Sequence, residues 1–324
     1  MNRLQPRWLP WVVLALATFL LPACGSRKQT VRVFAADALA ASFNEIKHEF
    51  ERLHPDIEVT LDVQGSILLT RLTPLRRGDV LAVADHRLIE KILSPKHATW
   101  VAQFATTQIV LASTSASARR AEISPENWYD LLLLPGIKYG YADPSQDPCG
   151  YYTRIAWQLA EKHYFTSRGK SRPLAAELAD HCPPRYVARD ALSLISELLG
   201  TGRLDYAFVY RVHAVDLKLP FTPLPKEINL GDRSLAPHYA SVQVLVPNYR
   251  GGTEEMAGTA IAFGLTVPSD APNPAGAQEF VRLVLSQRGQ EILRRSGFEP
   301  IAPAVVPNWG TVPEFLSDLA APQP

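Results

Sequence analysis

Asp147 lies in a proline-rich loop between a predicted strand and a predicted helix. The strand covers residues 137–142, Pro144 and Pro148 restrict the loop, and Gly150 lets a helix begin with its N–H groups free. Such a helix start binds anions, but an aspartate at this point is also an ordinary helix cap. Local spacing therefore leaves two interpretations of Asp147: a cap, or part of an anion or metal site.

The sequence lacks the motifs of the common catalytic and metal sites. It has no Gly-x-Ser-x-Gly elbow, P-loop, metalloprotease helix, Cys-x-x-Cys pair or His-x-x-x-His spacing. We therefore expect neither an enzyme nor a resident cofactor. Cys149 and Cys182 can pair only if their Cα atoms lie within bridging distance, and the sequence leaves this open.

Other polar residues near predicted strand ends have more ordinary expectations. Asp85 and His86 follow a predicted strand, where we expect a helix cap beside a solvated histidine, with a cleft-facing position as the alternative. Arg154 and Arg189 could compensate the charge of an anion, but surface exposure is the expected position of each.

Residues 1–23 have the pattern of a secretory signal peptide. Arg3 and Arg7 precede an apolar run over residues 8–21 that is too short for a comfortable membrane span. The small residues before Cys24 are similar to a bacterial lipobox, so we expect a lipid anchor at Cys24 and a tether over residues 24–30. The folded part would then lie outside the cytoplasmic membrane, attached to a lipid surface. An uncleaved anchor is the alternative.

The charge balance of the chain does not favour a nucleic-acid partner. The formal net charge of the 324 residues is +1, and without residues 1–23 it becomes −1, with 31 basic against 32 acidic residues. About 300 residues remain, which is enough for two lobes with separate cores. We expect a monomer.

Strand and helix patterns alternate along the chain. An apolar run at residues 31–35, helical spacing over residues 39–53 and two-residue alternation over residues 57–63 form a βαβ unit. The order predicts an α/β fold with mostly parallel, mixed sheets, helices on both faces and a hinged cleft. The predicted units are lobe 1 (31–111 plus 241–303), lobe 2 (112–240) and a C-terminal tail (304–324).

Six segments occur in the order found in tungstate/molybdate-binding proteins of ABC importers, which the chain resembles over residues 31–303. They are Val-Phe-Ala-Ala-Asp-Ala-Leu at 33–39, Gly-Ser at 65–66, Asp-Val-Leu-Ala-Val-Ala-Asp at 79–85, Asn-Trp-Tyr at 127–129, Asp-Pro-Cys-Gly-Tyr at 147–151 and Leu-Asp-Tyr at 204–206. The resemblance implies a two-lobe type II periplasmic-binding-protein fold. It also implies an oxyanion held between the lobes and delivered to an ABC permease with its ATPase.

Three residues match the ligand-binding positions of the resembled family. Ser66 corresponds to a serine that donates to an anion oxygen, and Tyr210 corresponds to a tyrosine that donates its hydroxyl. Asp147 corresponds to an aspartate that coordinates the metal of the bound oxyanion. The resemblance therefore implies an oxyanion site that includes these three side chains.

Other positions depart from the family pattern. A first-loop serine is replaced by Ala38, whose N–H can still donate at a helix start. The glutamate that joins the aspartate on the metal is replaced by Leu192, and an arginine that often follows Gly-Tyr is replaced by Tyr152, with Arg154 two places on. Losing a hydroxyl donor to an anion weakens binding by about 1.5 to 3 kcal/mol.

These departures leave the role of Asp147 and the identity of the ligand open. Asp147 could ligate the metal of a five-coordinate oxyanion, accept a proton from a hydrogen-bearing oxyanion such as hydrogen phosphate, or only cap its helix. We expect the lipid-anchored substrate-binding component of an ABC importer that captures an oxyanion of the tungstate/molybdate class. The alternatives are a binder of a different oxyanion, such as phosphate, and a diverged sensor or accessory lipoprotein.

Overall fold

The computed structural model describes residues 28–247 and 252–323. The expected signal peptide, the lipid-attachment residue Cys24 and most of the expected tether lie outside the described residues. In the described part of the chain, no helix is both long enough and apolar enough to cross a membrane.

The strands form two mixed sheets and one hairpin. Their bounds are β1 Gln29–Ala36, β2 Ile57–Gln64, β3 Val80–Val83, β4 Ala102–Thr106, β5 Ile109–Ser113, β6 Tyr139–Ala142, β7 Val187–Ala188, β8 Tyr206–Tyr210, β9 Phe221–Pro223, β10 Gln243–Pro247, β11 Thr253–Ala257, β12 Phe263–Thr266, β13 Glu299–Val306 and β14 Ala320–Pro322. The hairpin pairs β10 with β11.

Helices cover both sheets, as the alternating pattern predicts. Their bounds are α1 Ala40–Leu53, α2 Ser66–Arg76, α3 Arg87–Leu93, α4 Trp128–Leu132, α5 Pro148–Tyr164, α6 Leu174–His181, α7 Ala191–Ser193, α8 Arg211–Asp216, α9 Ala236–Tyr239, α10 Pro274–Leu285 and α11 Gln287–Arg295. A 3₁₀ turn, Asp37–Leu39, leads directly into α1, and a π-helical stretch, Leu194–Leu199, continues α7.

The seven-stranded sheet has the order β14-β13-β4-β12-β3-β1-β2. Its first βαβ unit is the predicted one, because β1 pairs in parallel with β2 and with β3. Strand β12 lies antiparallel between β3 and β4, where the chain returns to this sheet after building the other. The returning strands make the sheet more antiparallel than the first three strands alone suggest.

The five-stranded sheet has the order β7-β6-β8-β5-β9. Strand β6 pairs in parallel with β7 and β8, whereas β5 pairs antiparallel with β8 and β9. The chain enters this sheet through β5, directly after β4 of the other sheet. The cleft-forming loops are therefore those that follow β1, β2 and β3 on one side, and β6 and β8 on the other.

The two sheets do not divide the chain at the same residues as the predicted lobes. Strand β5 belongs wholly to the five-stranded sheet, although its first residues precede the predicted start of lobe 2 at residue 112. Residues 304–306 and 320–322 of the predicted tail form parallel strands in the seven-stranded sheet. The boundaries themselves stay a prediction.

The two described cysteines are buried and unpaired, which answers the question that the sequence left open. The Cys149 thiol points to the carbonyl oxygen of Phe208 at 3.9 Å, and the Cys182 thiol to that of Tyr139 at 3.3 Å. Burial raises the pKa of Cys182 to about 12, and burial likewise raises the pKa of Cys149 well above its ordinary value. Both groups are neutral thiols.

Candidate functional site

The loops at the ends of the two sheets meet and bury a group of polar side chains. Asp37 and Ser66 follow β1 and β2 of the seven-stranded sheet. In the five-stranded sheet, Asp147 ends the loop between β6 and α5, and Tyr210 is the last residue of β8. These four side chains are at most 5% exposed. The loop after β2 and the loop after β6 approach each other closely, because a Cβ added to Gly65 would lie 3.1 Å from the carbonyl oxygen of Gln146.

Asp147 is a helix cap and also contacts a second helix. Its Oδ1 accepts the N–H of Cys149 at 2.9 Å and so caps α5, which begins at Pro148 rather than at the predicted Gly150. Its Oδ2 accepts the N–H of Ala191, at the start of α7, at 3.0 Å. Burial, and then the charge of Asp37, raise the pKa of Asp147 to about 8.

Gly150 allows α5 to begin against the end of strand β6. A Cβ at this position would lie 2.2 Å from the carbonyl oxygen of Ala142, a distance that no side chain could occupy. The glycine of the Asp-Pro-Cys-Gly-Tyr segment therefore serves close packing of helix on strand. This packing holds Asp147 at the mouth of the helix.

Ser66 is the first residue of α2 and is fully buried. Its Oγ accepts the N–H of Ala84 at 3.0 Å, which joins the loops after β2 and β3. A serine hydroxyl that accepts one hydrogen bond still carries its own hydrogen for donation. Ser66 can therefore orient the loop and donate to a ligand at the same time.

Tyr210 places a hydroxyl in the site without a hydrogen-bond partner among the described residues. The side chain is fully buried at the end of β8 and packs edge-on against Phe263. Burial, followed by the neighbouring Cys149 and Asp147, raises the pKa of the phenol well above its ordinary value. Tyr210 is thus a neutral hydroxyl group with an unused hydrogen, the form suited to bind an anion.

Asp37 is the residue of this site that the sequence reasoning missed. The N–H of Ala38, which we expected to remain available, donates to Asp37 Oδ1 at 2.8 Å. Asp37 Oδ2 accepts the N–H of Leu192 from the opposite side of the cleft at 3.2 Å. Burial, and then the charge of Asp190, raise the pKa of Asp37 to about 7. The only sequence signal was an acidic residue directly after an apolar strand.

His213 is a second residue that sequence reasoning did not find. Its ring stacks on Tyr210 with centroids 5.9 Å apart, and neither ring nitrogen has a hydrogen-bond partner among the described residues. Its Nε2 lies 3.6 Å from Asp37 Oδ2. Burial lowers the pKa of His213 to about 4, although Asp147 and Asp190 act in the opposite direction. The imidazole is therefore neutral at pH 7.

Leu192 and Tyr152, which depart from the family pattern, and the two arginines considered as charge partners have contacts of different kinds. Leu192 contributes its N–H to the site, while its side chain is 38% exposed. The guanidinium of Arg154 bonds the carbonyl oxygen of Leu245, and Arg189, which is exposed as predicted, bonds Asp190. Tyr152 is buried, and its hydroxyl lies 3.4 Å from the guanidinium of Arg87, the first residue of α3.

The fully buried Asp85 and the partly exposed Arg87 form an ion pair that contacts α5 across the cleft. Arg87 Nη2 lies 2.6 Å from Asp85 Oδ2, and the hydroxyl of Tyr151 on α5 donates to the same oxygen at 2.7 Å. Burial alone would raise the pKa of Asp85, but Arg87, together with His86 and the Tyr151 hydroxyl, holds this pKa well below its usual range. The expectation of a cap beside a solvated histidine is wrong in part. Asp85 accepts the N–H of Arg87 as a cap would, but the His86 side chain is only 15% exposed.

The described residues contain no group of three or more His, Cys, Asp or Glu side chains arranged to hold a metal ion. The site instead presents hydrogen-bond donors: the hydroxyl of Tyr210 and backbone N–H groups at the starts of helices. Two of the buried acids, Asp37 and Asp147, accept from those N–H groups. Such donors suit an oxyanion, and the acids limit how much negative charge the site accepts.

The sequence matches known solute-binding proteins along most of its length. Residues 31–299 match the family model described as bacterial extracellular solute-binding protein. A solute-binding protein of Petrotoga mobilis is 36% identical over 290 residues, covering 89% of this chain and 88% of the relative. The molybdate/tungstate-binding protein WtpA of Pyrococcus abyssi is 31% identical over 324 residues, covering 91% of each chain.

The fold is shared with a solved structure of low sequence identity. The periplasmic molybdate-binding protein of Azotobacter vinelandii superposes with a TM-score of 0.56 at 14% identity, covering 83% of this chain and 98% of that one. This likeness confirms the predicted two-lobe, type II periplasmic-binding-protein fold. Together with the family match over residues 31–299, it shows that the chain belongs to the family of bacterial extracellular solute-binding proteins.

Proposed function

We propose that this solute-binding component of an ABC importer captures an oxyanion of the tungstate/molybdate class between its two sheets. The observation that carries the proposal is the buried hydroxyl of Tyr210, which has no hydrogen-bond partner among the described residues. It lies beside two helix starts, the 3₁₀ turn that follows β1 of one sheet and helix α5 that follows β6 of the other. Four N–H groups, those of Ala38, Cys149, Ala191 and Leu192, point into the same site, where they bond the carboxyl groups of Asp37 and Asp147. The similarity to a molybdate/tungstate-binding relative supports this ligand class.

Closure of the cleft, without covalent chemistry, is the proposed mechanism. The oxyanion would accept hydrogen bonds from Tyr210, Ser66 and the N–H of Ala38, while Asp147 would face the metal atom of the oxyanion. The closed protein would then present the solute to an ABC permease and its ATPase. We also propose that the protein is a monomer outside the cytoplasmic membrane, anchored by lipid at Cys24.

Ligand-induced thermal stabilisation tests this function. The purified protein is heated with and without tungstate, molybdate, sulfate or phosphate, and a binding anion raises the melting temperature. A solute present at a hundred times its dissociation constant adds about 2.7 kcal/mol to the free energy of unfolding. If none of the four anions shifted the melting temperature, the oxyanion function would be abandoned.

The Tyr210→Phe variant is expected to weaken oxyanion binding by about ten- to a hundredfold, because the hydroxyl is a donor to a charged ligand. The free energy of unfolding of the solute-free protein should not fall, and should rise by up to about 1 kcal/mol, since a buried hydroxyl without a partner among the described residues is removed. Calorimetric titration with the best oxyanion and urea unfolding measure the two effects.

Tyr206→Phe is the matched control for Tyr210→Phe. Its hydroxyl donates to the carbonyl oxygen of Ala118 at 2.7 Å, away from the site. Losing this bond should lower the free energy of unfolding by about 1 kcal/mol and leave oxyanion affinity unchanged. Equal affinities for Tyr210→Phe and wild type would remove Tyr210 from the proposed site.

A second candidate is a sensor or accessory lipoprotein that has lost tight binding of the family ligand. The favouring observation is that side-chain carboxylates already occupy the four N–H donors. The double variant Ala38→Ser with Leu192→Glu tests this candidate. A gain of tight tungstate binding would favour divergence of the wild type, whereas unchanged weak binding would count against it.

A further inference from the structure

The carboxylate of Asp37 joins the two sides of the cleft. Its Oδ1 accepts the N–H of Ala38 on its own side at 2.8 Å, and its Oδ2 accepts the N–H of Leu192 on the opposite side at 3.2 Å. The side chain is 5% exposed. In the structure, Asp37 therefore occupies the position and the donors of a small bound anion.

An oxyanion and the Asp37 side chain would use the same donors. A hydrogen on a backbone nitrogen makes one good hydrogen bond, so an anion oxygen can bond the N–H of Ala38 or Leu192 fully only after Asp37 releases it. A carboxylate that stayed in place would also repel the anion. Binding of the solute and the present position of Asp37 are thus mutually exclusive.

The groups around Asp37 do not neutralise a second anion. Asp147 on α5 and Asp190 before α7 are acidic, and the imidazole of His213 on α8 is neutral. Arg189 is 66% exposed and bonds Asp190 at 2.8 Å. An entering oxyanion therefore gains from the departure of Asp37 twice, through freed donors and through reduced repulsion.

The structure provides a space into which Asp37 can move. Asp37 lines a cavity of about 440 Å³ between the sheets, together with Gln64, Gly65, Arg189 and Leu192. The backbone of Asp37 begins a 3₁₀ turn, so rotation of its side chain alone changes its partners. A displaced carboxylate would then face Arg189, together with Asp190 and Glu197, which line the same cavity.

We propose that Asp37 is a tethered competitor, which holds the solute-free cleft closed and sets the affinity for the oxyanion. This inference rests on the proposed function, because competition requires that an oxyanion binds at these donors. It makes Asp37 a determinant of affinity, whereas Tyr210 and Ser66 would be direct donors to the ligand.

The test compares Asp37→Ala and Asp37→Asn with the wild type. Alanine removes the competitor, and asparagine keeps its shape without the charge. Titration calorimetry with tungstate, molybdate, sulfate and phosphate should show tighter binding of at least one anion by both variants, by about ten- to a hundredfold for Asp37→Ala. Asp56→Asn, an exposed aspartate in the turn before β2, is the matched control and should bind as wild type does.

Small-angle scattering of the solute-free proteins provides a second readout. Both Asp37 variants should have a larger radius of gyration than wild type, and saturating oxyanion should bring all three to the same value. Thermal melts confirm that each variant is folded, and Asp37→Asn keeps the test valid if alanine at this position prevents folding.

The outcomes separate the inference from the function. If wild type binds an oxyanion and the Asp37 variants bind it equally or more weakly, Asp37 is a ligand-binding or structural group and the inference fails while the function stands. If no protein binds any of the four anions, both are overturned. Unchanged radii of the solute-free variants would also overturn the closing role of Asp37.

Discussion

Replacing Arg87 with alanine is expected to lower the free energy of unfolding by about 3–5 kcal/mol, because it leaves the buried charge of Asp85 without its cation. The carboxylate is fully buried, and both of its oxygens bond the Arg87 guanidinium at 2.6 to 3.0 Å. Tyr151 and the N–H of residue 87 would remain as partners, but neither carries a positive charge. Urea unfolding at pH 7 measures the loss.

Two further variants show whether the unpaired charge is the cause. Asp85→Asn in the Arg87→Ala background should recover part of the loss, since the buried group is then neutral. Arg76→Ala breaks the exposed pair with Asp62, whose N–O distance is 3.0 Å, and should cost at most about 1 kcal/mol. If Arg87→Ala lowered the free energy of unfolding by no more than Arg76→Ala does, the prediction would be contradicted.

The same pair should influence closure of the cleft. Asp85 and Arg87 lie beside the seven-stranded sheet, whereas Tyr151 and Tyr152 lie on α5, which packs on the five-stranded sheet. Arg87 also bonds the carbonyl oxygen of Ala257 in strand β11. The ion pair therefore joins three separate parts of the chain, and its loss should leave the solute-free protein more open as well as less stable.

The fold could be predicted because its signals are local. The two-residue alternation of β2 and the helical spacing of α1 each lie within one element, and the return of the chain follows from the order of the elements. Element ends were less accurate: β6 begins at Tyr139 instead of residue 137. Hairpin β10–β11 was not predicted, because its pairing of alternately exposed residues gives only a weak apolar signal.

The site could be predicted only in part, because its contacts join distant residues. Ser66, Asp147 and Tyr210 are buried at the ends of strands and at helix starts, where pattern and resemblance both place them. The contact of Asp37 with Leu192 spans 155 positions, and no local pattern reports it.

The buried acids predict an unusual dependence of stability on pH. The pKa of Asp37 is raised to about 7 and that of Asp147 to about 8, by burial and by neighbouring acids, from an ordinary value of 3.8. Between pH 3.8 and its raised pKa, each folded carboxyl keeps a proton that the unfolded chain has lost. Their contribution to stability is therefore fully present below pH 3.8 and is lost as the pH rises through 7 and 8.

Several other groups change the proton balance below pH 6.5, because burial also lowers the pKa of His86 and His163. His213, with its pKa lowered by burial to about 4, gives up a proton on folding, which offsets one carboxyl between pH 4 and 6.5. Asp216, whose pKa burial raises to about 6, has completed its titration near pH 6.5. Between pH 6.5 and 7 both Asp37 and Asp147 retain a proton that the unfolded chain lacks, and between pH 7 and 8 only Asp147 does. Stability should therefore fall over this range by about 1.4 kcal/mol per pH unit for each retained proton.

Urea unfolding of the solute-free protein at intervals from pH 6 to 8.5 measures this slope. Asp37→Asn should reduce it by more than one proton's share, because the substitution removes one titrating group and also lowers the pKa of Asp147, which the charge of Asp37 helps to raise. The exposed Asp56→Asn control should keep the wild-type slope. Opening of the cleft would hydrate the two acids and flatten the curve, so scattering at each pH separates opening from unfolding. A stability that rises from pH 6.5 to 8 in a protein that stays closed would mean that the two carboxyls do not face each other in a dry site.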